Sequence, residues 1–556
     1  MGRGRPHAVV VFLLVLVSAA ALAPTAPADA LGVGKISETK AIEVANRDSK
    51  VVGERRENSG LAPSASMVEG HWEVAYFAAG KEVALVLVDP HSGEVTESWT
   101  GYQVAWKMAR GYSGAFGHKL DAPYVFLPLC AIFLLGLVDW RRLWRVANLD
   151  LAVLLGFGIS HFFFNRAEIG VSVPLQYPVL LYLLGRALWI GFRGRGDGLR
   201  PVWPVAWMLI AALFLMGFRV GLNVADSGAI DVGYASVVGA DRVAHGEAIY
   251  DNFPEDVSEG DTYGPVNYYA YVPFERIWPW SGSWDDLPAA HGAAVFFDLA
   301  TFAFLILLGI RIRPGPAGRR LAAILAFGWA AYPYTAFTLE SNSNDALVAM
   351  LLVATLLALA RPMARGALAA LATFAKFAPA LLVPMLLTYE SPRPTDEDTL
   401  RARYSFSGAL IGRRGRLVFL VSFALVSVAV MLWPALDPGL HTVYERTIAY
   451  QAGRESPFSI WGQVPALEPL RIALLVATAG LSLLFAFVPK RKSLVQVAAL
   501  GAALLIALQL TMHHWFYLYI VWFYPLLLVA MATVRTETAV EPEPSPAGRS
   551  QPAPSG

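Results

Sequence analysis

The sequence predicts an all-α polytopic membrane protein of about eleven to twelve transmembrane helices, with a small α+β extracytoplasmic domain near the N-terminus. Three observations carry this reading. Of 556 residues, 56% are hydrophobic and 16% charged, with a mean hydropathy of +0.48, whereas soluble proteins are about 25% charged. The apolar residues collect in runs long enough to cross roughly 30 Å of hydrocarbon. One short β-like stretch precedes those runs. A soluble multidomain enzyme is excluded, and a formal charge of +1 leaves no basic field for nucleic acid. The single cysteine, Cys130, excludes intramolecular disulfides and cysteine-based zinc sites, and reads as a small apolar residue within a span.

Residues 1–30 read as a signal peptide. Arg3 and Arg5 precede an apolar run from Val9 to Leu22, and Ala28-Asp29-Ala30 offers a small-x-small cleavage site. An uncleaved anchor would leave the following segment, 31–121, on the same extracytoplasmic side. That segment opens with a polar, helix-compatible stretch, Ser37 to Arg56, followed by β-like runs His71–Phe77 and Val83–Val88 and a turn at Asp89-Pro90-His91-Ser92-Gly93. Trp72, Val74 and the phrase Val88-Asp89-Pro90-His91-Ser92-Gly93-Glu94-Val95 resemble the small exported PepSY domain. The resemblance implies a regulatory or docking module.

Span-length runs begin near Pro123, Leu149, Pro174, Trp203, His291, Leu321, Ala346, Leu417, Leu470, Leu494 and Trp515. Residues 122–200 thus hold additional transmembrane helices ahead of a core at 201–534. Basic residues are retained on the cytoplasmic side. Arg141, Arg142 and Arg145, then Arg193, Arg195 and Arg200, then Arg311, Arg313, Arg319 and Arg320 mark alternate loops as inside. Segments 165–173, 222–290 and 339–345 hold only Arg166, Arg242 and Arg276, and read as outside. The apolar stretch 367–387 contains Lys376, Pro379 and Pro384 and is either a twelfth span or a broken re-entrant hairpin. The hairpin is favoured, because a crossing would put the basic loop Arg393–Arg416 outside. The tail 535–556, rich in Pro, Glu and Ser, reads as disordered and cytoplasmic.

The outer loop 222–290 carries twelve acidic residues against two arginines. Within it Asp231 opens a helix running to His245, capped by Gly246, with Asp231, Tyr234, Ala235, Val238 and Arg242 on one face. Asp226, Glu255, Asp256, Glu259, Asp285 and Asp286 read as a solvated loop. EF-hand spacing is absent, and the reading assigns no metal and no cofactor. Lys376 is the only lysine between Lys119 and Lys490 and lies in an apolar stretch, which makes it a functional candidate against a snorkelling alternative. Ser341-Asn342-Ser343-Asn344-Asp345 reads as a short outer turn, with Asn344 or Asp345 capping a helix. Arg454 sits among hydroxyls and aromatics in Gln451–Gly462, a surface suited to a phosphate beside a sugar or lipid. His513-His514 precede the aromatic-rich last span. Asp298, an acid within a span, looks isolated.

All these unusual groups fall on the outer side. Nucleotide sugars stay in the cytoplasm, so a transferase there would take its sugar from a lipid. The sequence resembles the GT-C superfamily of polyprenyl-phosphate-sugar-dependent glycosyltransferases, of the glycosyltransferase family 87 type. The resemblance covers 200–534. It rests on Asp231-x-x-Tyr234 with Gly246-Glu247-Ala248-Ile249-Tyr250, on Thr262-Tyr263-Gly264-Pro265-Val266-Asn267-Tyr268-Tyr269, on the Lys376-Phe377-Ala378-Pro379 break and on the last span. It implies inverting transfer to a lipid or glycan acceptor in the bacterial plasma membrane, with Asp231 as general base. Lys376, Arg454, Arg242, His513 and His514 are then the candidates for the donor phosphate, and Tyr234, Tyr263, Tyr268 and Trp461 for the substrate. A transporter or flippase for a lipid-linked sugar is the alternative, and a sensor built on the exported domain a third.

Overall fold

The computed structural model describes residues 36–58, 60–68, 70–111, 117–194, 196–251, 253–390, 412–454 and 456–533. The expected signal peptide, most of the basic loop Arg393–Arg416 and the 535–556 tail lie outside the described residues.

The expected first helix is two. Helix α1 (Glu38–Ala45) starts where Ser37 accepts the Lys40 N–H, and α2 (Ser49–Glu57) where Asp48 accepts the N–H groups of Lys50 and Val51. They pack on a four-stranded antiparallel meander of order β1-β2-β3-β4: β1 Ala62–Val68, β2 His71–Ala78, β3 Lys81–Val88 and β4 Val95–Thr100. The two strands legible in sequence, β2 and β3, are central and supply the apolar core of Val74, Tyr76, Ala84, Val86 and Val88 against Ala41, Ala45 and Val51. The two edge strands are less buried, β1 being mostly exposed and β4 mostly half-buried, and β1 carries Pro63, as an edge tolerates.

The rest is a helical membrane bundle. All eleven apolar runs are helical, but among the described residues only six helices are long and apolar enough to cross a bilayer, or seven counting one bent pair. Long elements include α3 (Pro123–Leu137), α4 (Val146–Leu155) with α5 (Phe157–Phe164), α6 (Ile169–Arg193) and α7 (Val205–Asp226). After α8 (Asp231–His245) and α9 (Pro265–Glu275) come α10 (Pro288–Ile312) and the bent pair α11 (Gly315–Ala331) and α12 (Pro333–Glu340), which meet at 54°. Then follow α13 (Asp345–Leu357), α14 (Pro362–Ala375), α15 (Val383–Leu387), α16 (Arg413–Pro434), α17 (Glu468–Phe487), α18 (Leu494–Gln509) and α19 (Ile520–Ala532).

The count falls short of eleven because α3, α13, α18 and the last helical segment have only 10–17 residues. Of these, α13, α18 and α19 are buried on nearly every side, as are α11 and α12. A helix surrounded by protein is apolar all round without needing to match the membrane thickness. The outer helices show the complementary pattern. Exposed Trp207, Ile210, Leu213 and Phe214 on α7, and Leu417, Val421, Leu425 and Val428 on α16, form apolar stripes of a size that soluble surfaces do not present.

Segment 362–389 doubles back. The Arg365 guanidinium near its start lies 5.2 Å from the Tyr389 ring at its end, and helical geometry breaks at Lys376, before a 3-10 turn at Ala378–Leu382. Prolines 379 and 384 each begin a new short helix there, where the missing N–H costs nothing.

The two ends of the bundle differ in chemistry. At one end Arg145 donates to the Gly198 carbonyl (2.9 Å), Arg320 to Pro201 (2.8 Å) and Arg311 to Leu357 (2.6 Å). At the other end converge the starts of α8, α13 and α19, the Lys376 break and the chain entering and leaving 454–468.

Candidate functional site

At that second end lies a cavity of about 190 Å³, lined by Asp231, Val232, Ala235, Asp256, Glu259, Thr262, Tyr263, Asp345, Tyr450, Arg454, His514 and Tyr519, with Met108 on its rim.

Asp231 is the first residue of α8. It does not cap the helix; its Oδ1 accepts the N–H of Val232 at 2.9 Å, and the carboxylate otherwise opens onto the cavity. Its position is fixed by an unusually close approach. A Cβ at Gly233 would lie 2.4 Å from the Asn342 carbonyl oxygen, so only glycine lets α8 rest on the 341–345 turn. Asn344 ties the two together by donating to Ser236 Oγ (3.2 Å), which also receives Asn267 (2.9 Å). The opposite wall is fixed likewise: a Cβ at Gly264 would lie 2.1 Å from the Phe374 carbonyl oxygen, which seats Tyr263 beside the Lys376 break. Asp231 is exposed to the cavity but surrounded by protein groups. Burial pushes its pKa up, and Arg454, the Val232 N–H and Lys376 pull it back.

The expected outer turn Ser341–Asp345 is fully buried, and Asp345 is no simple cap. Its carboxylate accepts the Lys376 ammonium, the Ser343 hydroxyl and the Trp522 indole N–H, the last at 2.7 Å. The ammonium also faces the rings of Tyr263 (5.1 Å), Trp522 (5.3 Å) and Tyr519 (5.6 Å). Lys376 is thus a neutralised, aromatic-boxed floor rather than a free cation. Arg454 is the contrast. Its guanidinium is 5.5 Å from the Trp106 ring and 6.0 Å from Tyr450, and its buried Nε has no hydrogen-bond partner among the described residues.

The two histidines separate. His514 lines the cavity, with Nδ1 2.9 Å from Ser456 Oγ, and burial, reinforced by Arg454 and Lys376, holds its pKa well below the ordinary value. His513 turns away to Glu468, 3.2 Å distant. Neither a protein-family model, nor a curated protein, nor a solved structure matches the chain.

Four other candidates also lie off the cavity wall. Arg242 is at the far end of α8, eleven residues and roughly 16 Å of helix from Asp231, where it donates to Ala248. Tyr234 is buried, stacked on Trp284 at 4.8 Å, because the face shared with Asp231 is packed against the loop. Tyr268 is a core residue whose hydroxyl donates to Gly260 (2.8 Å), and Trp461 donates to Leu510 (2.9 Å) inside the bundle. Tyr263, His514, Arg454 and Asp231 are brought together.

Asp256 and Glu259, expected as solvated loop, line the cavity instead. The loop is pinned over the bundle by Asp261, fully buried, which takes a two-pronged contact from Arg446 at 2.6 and 2.7 Å while Arg446 also reaches the Ser258 carbonyl. Among the described residues no three His, Cys, Asp or Glu side chains are grouped to hold a metal ion. Asp298 is not isolated: it accepts Arg219 (2.8 Å) and Trp329 (2.9 Å) deep in the bundle, close to Glu340, whose two carboxylate oxygens have no hydrogen-bond partner among the described residues.

Proposed function

We propose that the chain is an integral membrane glycosyltransferase that moves a sugar from a polyprenyl-phosphate donor to a lipid or glycan acceptor, with inversion, at the extracytoplasmic face of a bacterial plasma membrane. The observation that carries the reading is that the Asp231 carboxylate and the Arg454 guanidinium, whose N–H groups have no hydrogen-bond partner among the described residues, open onto one cavity at a bundle end. A carboxylate of raised pKa suits removal of the acceptor hydroxyl proton as the hydroxyl attacks the anomeric carbon. The departing polyprenyl phosphate is a stable anion and needs cationic hydrogen-bond donors rather than an acid, which Arg454 supplies. Tyr263 and Tyr519 offer ring faces to a sugar. The arginine-rich end lies opposite the cavity, and retention of basic residues inside turns the cavity outward. The PepSY-like reading of the N-terminal domain belongs to the same proposal.

The buried Arg219–Asp298 pair and the buried Glu340 beside it favour a second reading, a transporter or flippase for a lipid-linked sugar, since ionisable groups at membrane depth mark substrate or proton paths. The test is transfer from radiolabelled polyprenyl-phosphate sugars by purified protein and its Asp231→Asn variant. Product from wild type alone supports the transferase. Absence of product from both across donors and acceptors overturns it in favour of transport or sensing.

A further inference from the structure

The segment that leaves the sheet domain does not simply lead to the first bundle helix. After β4, Tyr102–Ala105 forms one helical turn and Lys107–Arg110 another. Arg110 folds back to donate to the carbonyls of Gln103 (2.8 Å) and Val104 (2.9 Å), which locks the two turns together. Gln103 then donates to the Ala167 carbonyl at 2.7 Å, bolting the segment to the connection between α5 and α6. From this clip Met108 reaches the cavity rim, and Trp106 lies 5.4 Å from the Phe458 ring, 5.6 Å from the His514 ring and 5.5 Å from the Arg454 guanidinium.

The way Arg454 is held matters. A carboxylate would hold the guanidinium by occupying its N–H donors, as Asp261 does for Arg446. An aromatic face attracts the cation through its quadrupole and leaves the in-plane donors free. Arg454 is held by rings, and no side chain or carbonyl among the described residues takes its N–H groups. Such a cation is oriented and still available to an incoming phosphate.

We propose that Trp106 is a positioning residue for Arg454, so that phosphate recognition in the cavity depends on the clip that the N-terminal domain contributes. This rests on the reading of the cavity as a phosphate site. Trp106 acts through Arg454 and touches no reacting atom. The N-terminal domain is thereby a component of the binding site and not an appendage to it.

The experiment measures binding of a polyprenyl monophosphate to the full chain in lipid nanodiscs, with inorganic phosphate as competitor, for wild type, Arg454→Gln, Trp106→Phe and Trp106→Leu. Trp106→Phe keeps a ring face and is expected to bind close to wild type. Trp106→Leu is expected to bind about tenfold more weakly, and the double variant with Arg454→Gln no more weakly than Arg454→Gln alone. Site-specific fluorinated tryptophan at 106 preserves shape while weakening the ring face, and is expected to weaken binding even if Trp106→Leu proves unstable. Failure of wild type to bind either phosphate overturns the site reading itself. Weak binding by Arg454→Gln alongside wild-type binding by both Trp106→Leu and the fluorinated protein overturns only the role of Trp106, as do equal losses in Trp106→Phe and Trp106→Leu. Competition by inorganic phosphate that weakens with Trp106→Leu assigns recognition to the phosphate group itself, whereas competition indifferent to Trp106 overturns the proposal.

Discussion

Lys376 and Asp345, 31 residues apart, form a buried ion pair beneath the cavity, with the lysine side chain 8% and the aspartate side chain 1% exposed. Removing one member of such a pair strands a buried charge and costs about 3–5 kcal/mol, whereas replacing both is often close to neutral. Lys376→Met and Asp345→Leu are each expected to lower the thermal midpoint in detergent, and the double variant to recover most of the loss. A double variant as unstable as the sum of the singles would show that the two charges act independently.

Among the described residues Asp231 makes a single hydrogen bond, accepting the Val232 N–H of its own helix. Asp231→Asn keeps that acceptor, so the thermal midpoint should stay within the equivalent of about 0.5 kcal/mol. Transfer activity should fall by about 10²-fold to 10⁴-fold, the span attributed to general-base catalysis. Equal activity in the variant would move the base elsewhere.

The pH dependence has a definite sign. Burial raises the Asp231 pKa above the ordinary 3.8, and Arg454 opposes that rise. In the proposed transfer Asp231 acts as a base only when deprotonated, so kcat/KM should climb with pH through a limb lying above 3.8. Arg454→Gln removes the opposing charge and is expected to move that limb to higher pH, beyond any loss of binding. A limb that stays put would mean the two groups do not interact.

Gly264→Ala tests the close approach of the loop to the Lys376 break. Overpacking costs about 1–3 kcal/mol, and the displaced Tyr263 should reduce activity in addition. Unchanged stability and activity would show that the Phe374 backbone yields freely.

His513 and His514 are adjacent in sequence and opposite in surroundings. His514→Gln should impair activity, because the ring sits in the cavity wall on Ser456, while His513→Gln should cost little more than a surface contact with Glu468, about 0–1 kcal/mol. Parallel kinetics on the two variants separate them.

Asp231, Arg454 and His514 were legible because each is an odd residue for its local setting: an acid opening a helix, a cation among aromatics, an imidazole at a span's mouth, whereas Tyr263 came only from the family resemblance. The apolar runs likewise announced a membrane bundle, since hydropathy is a local property. Asp345 hid in an apparent cap, and only tertiary packing reveals that its partner is Lys376. Trp106 and Met108 sit in an unremarkable stretch whose meaning comes from the Gln103 contact to Ala167. Arg242 lies off the cavity wall because a shared helix face says nothing about distance along the axis. Apolar runs also give no length limit for a helix enclosed by other helices, which is why α13 and α18 stop short.

The doubling back at 362–389 has a consequence for how the chain is threaded. Since Arg365 and Tyr389 meet, this segment adds no net passage from one end of the bundle to the other, and the chain reaches α16 at the end it left after α13. Excising a crossing helix would invert every helix that follows. Excising this hairpin would leave their direction unaltered. The part of the core that carries Lys376 is therefore uncoupled from the parity of the protein's path, and its length and sequence can change without turning the rest of the molecule over.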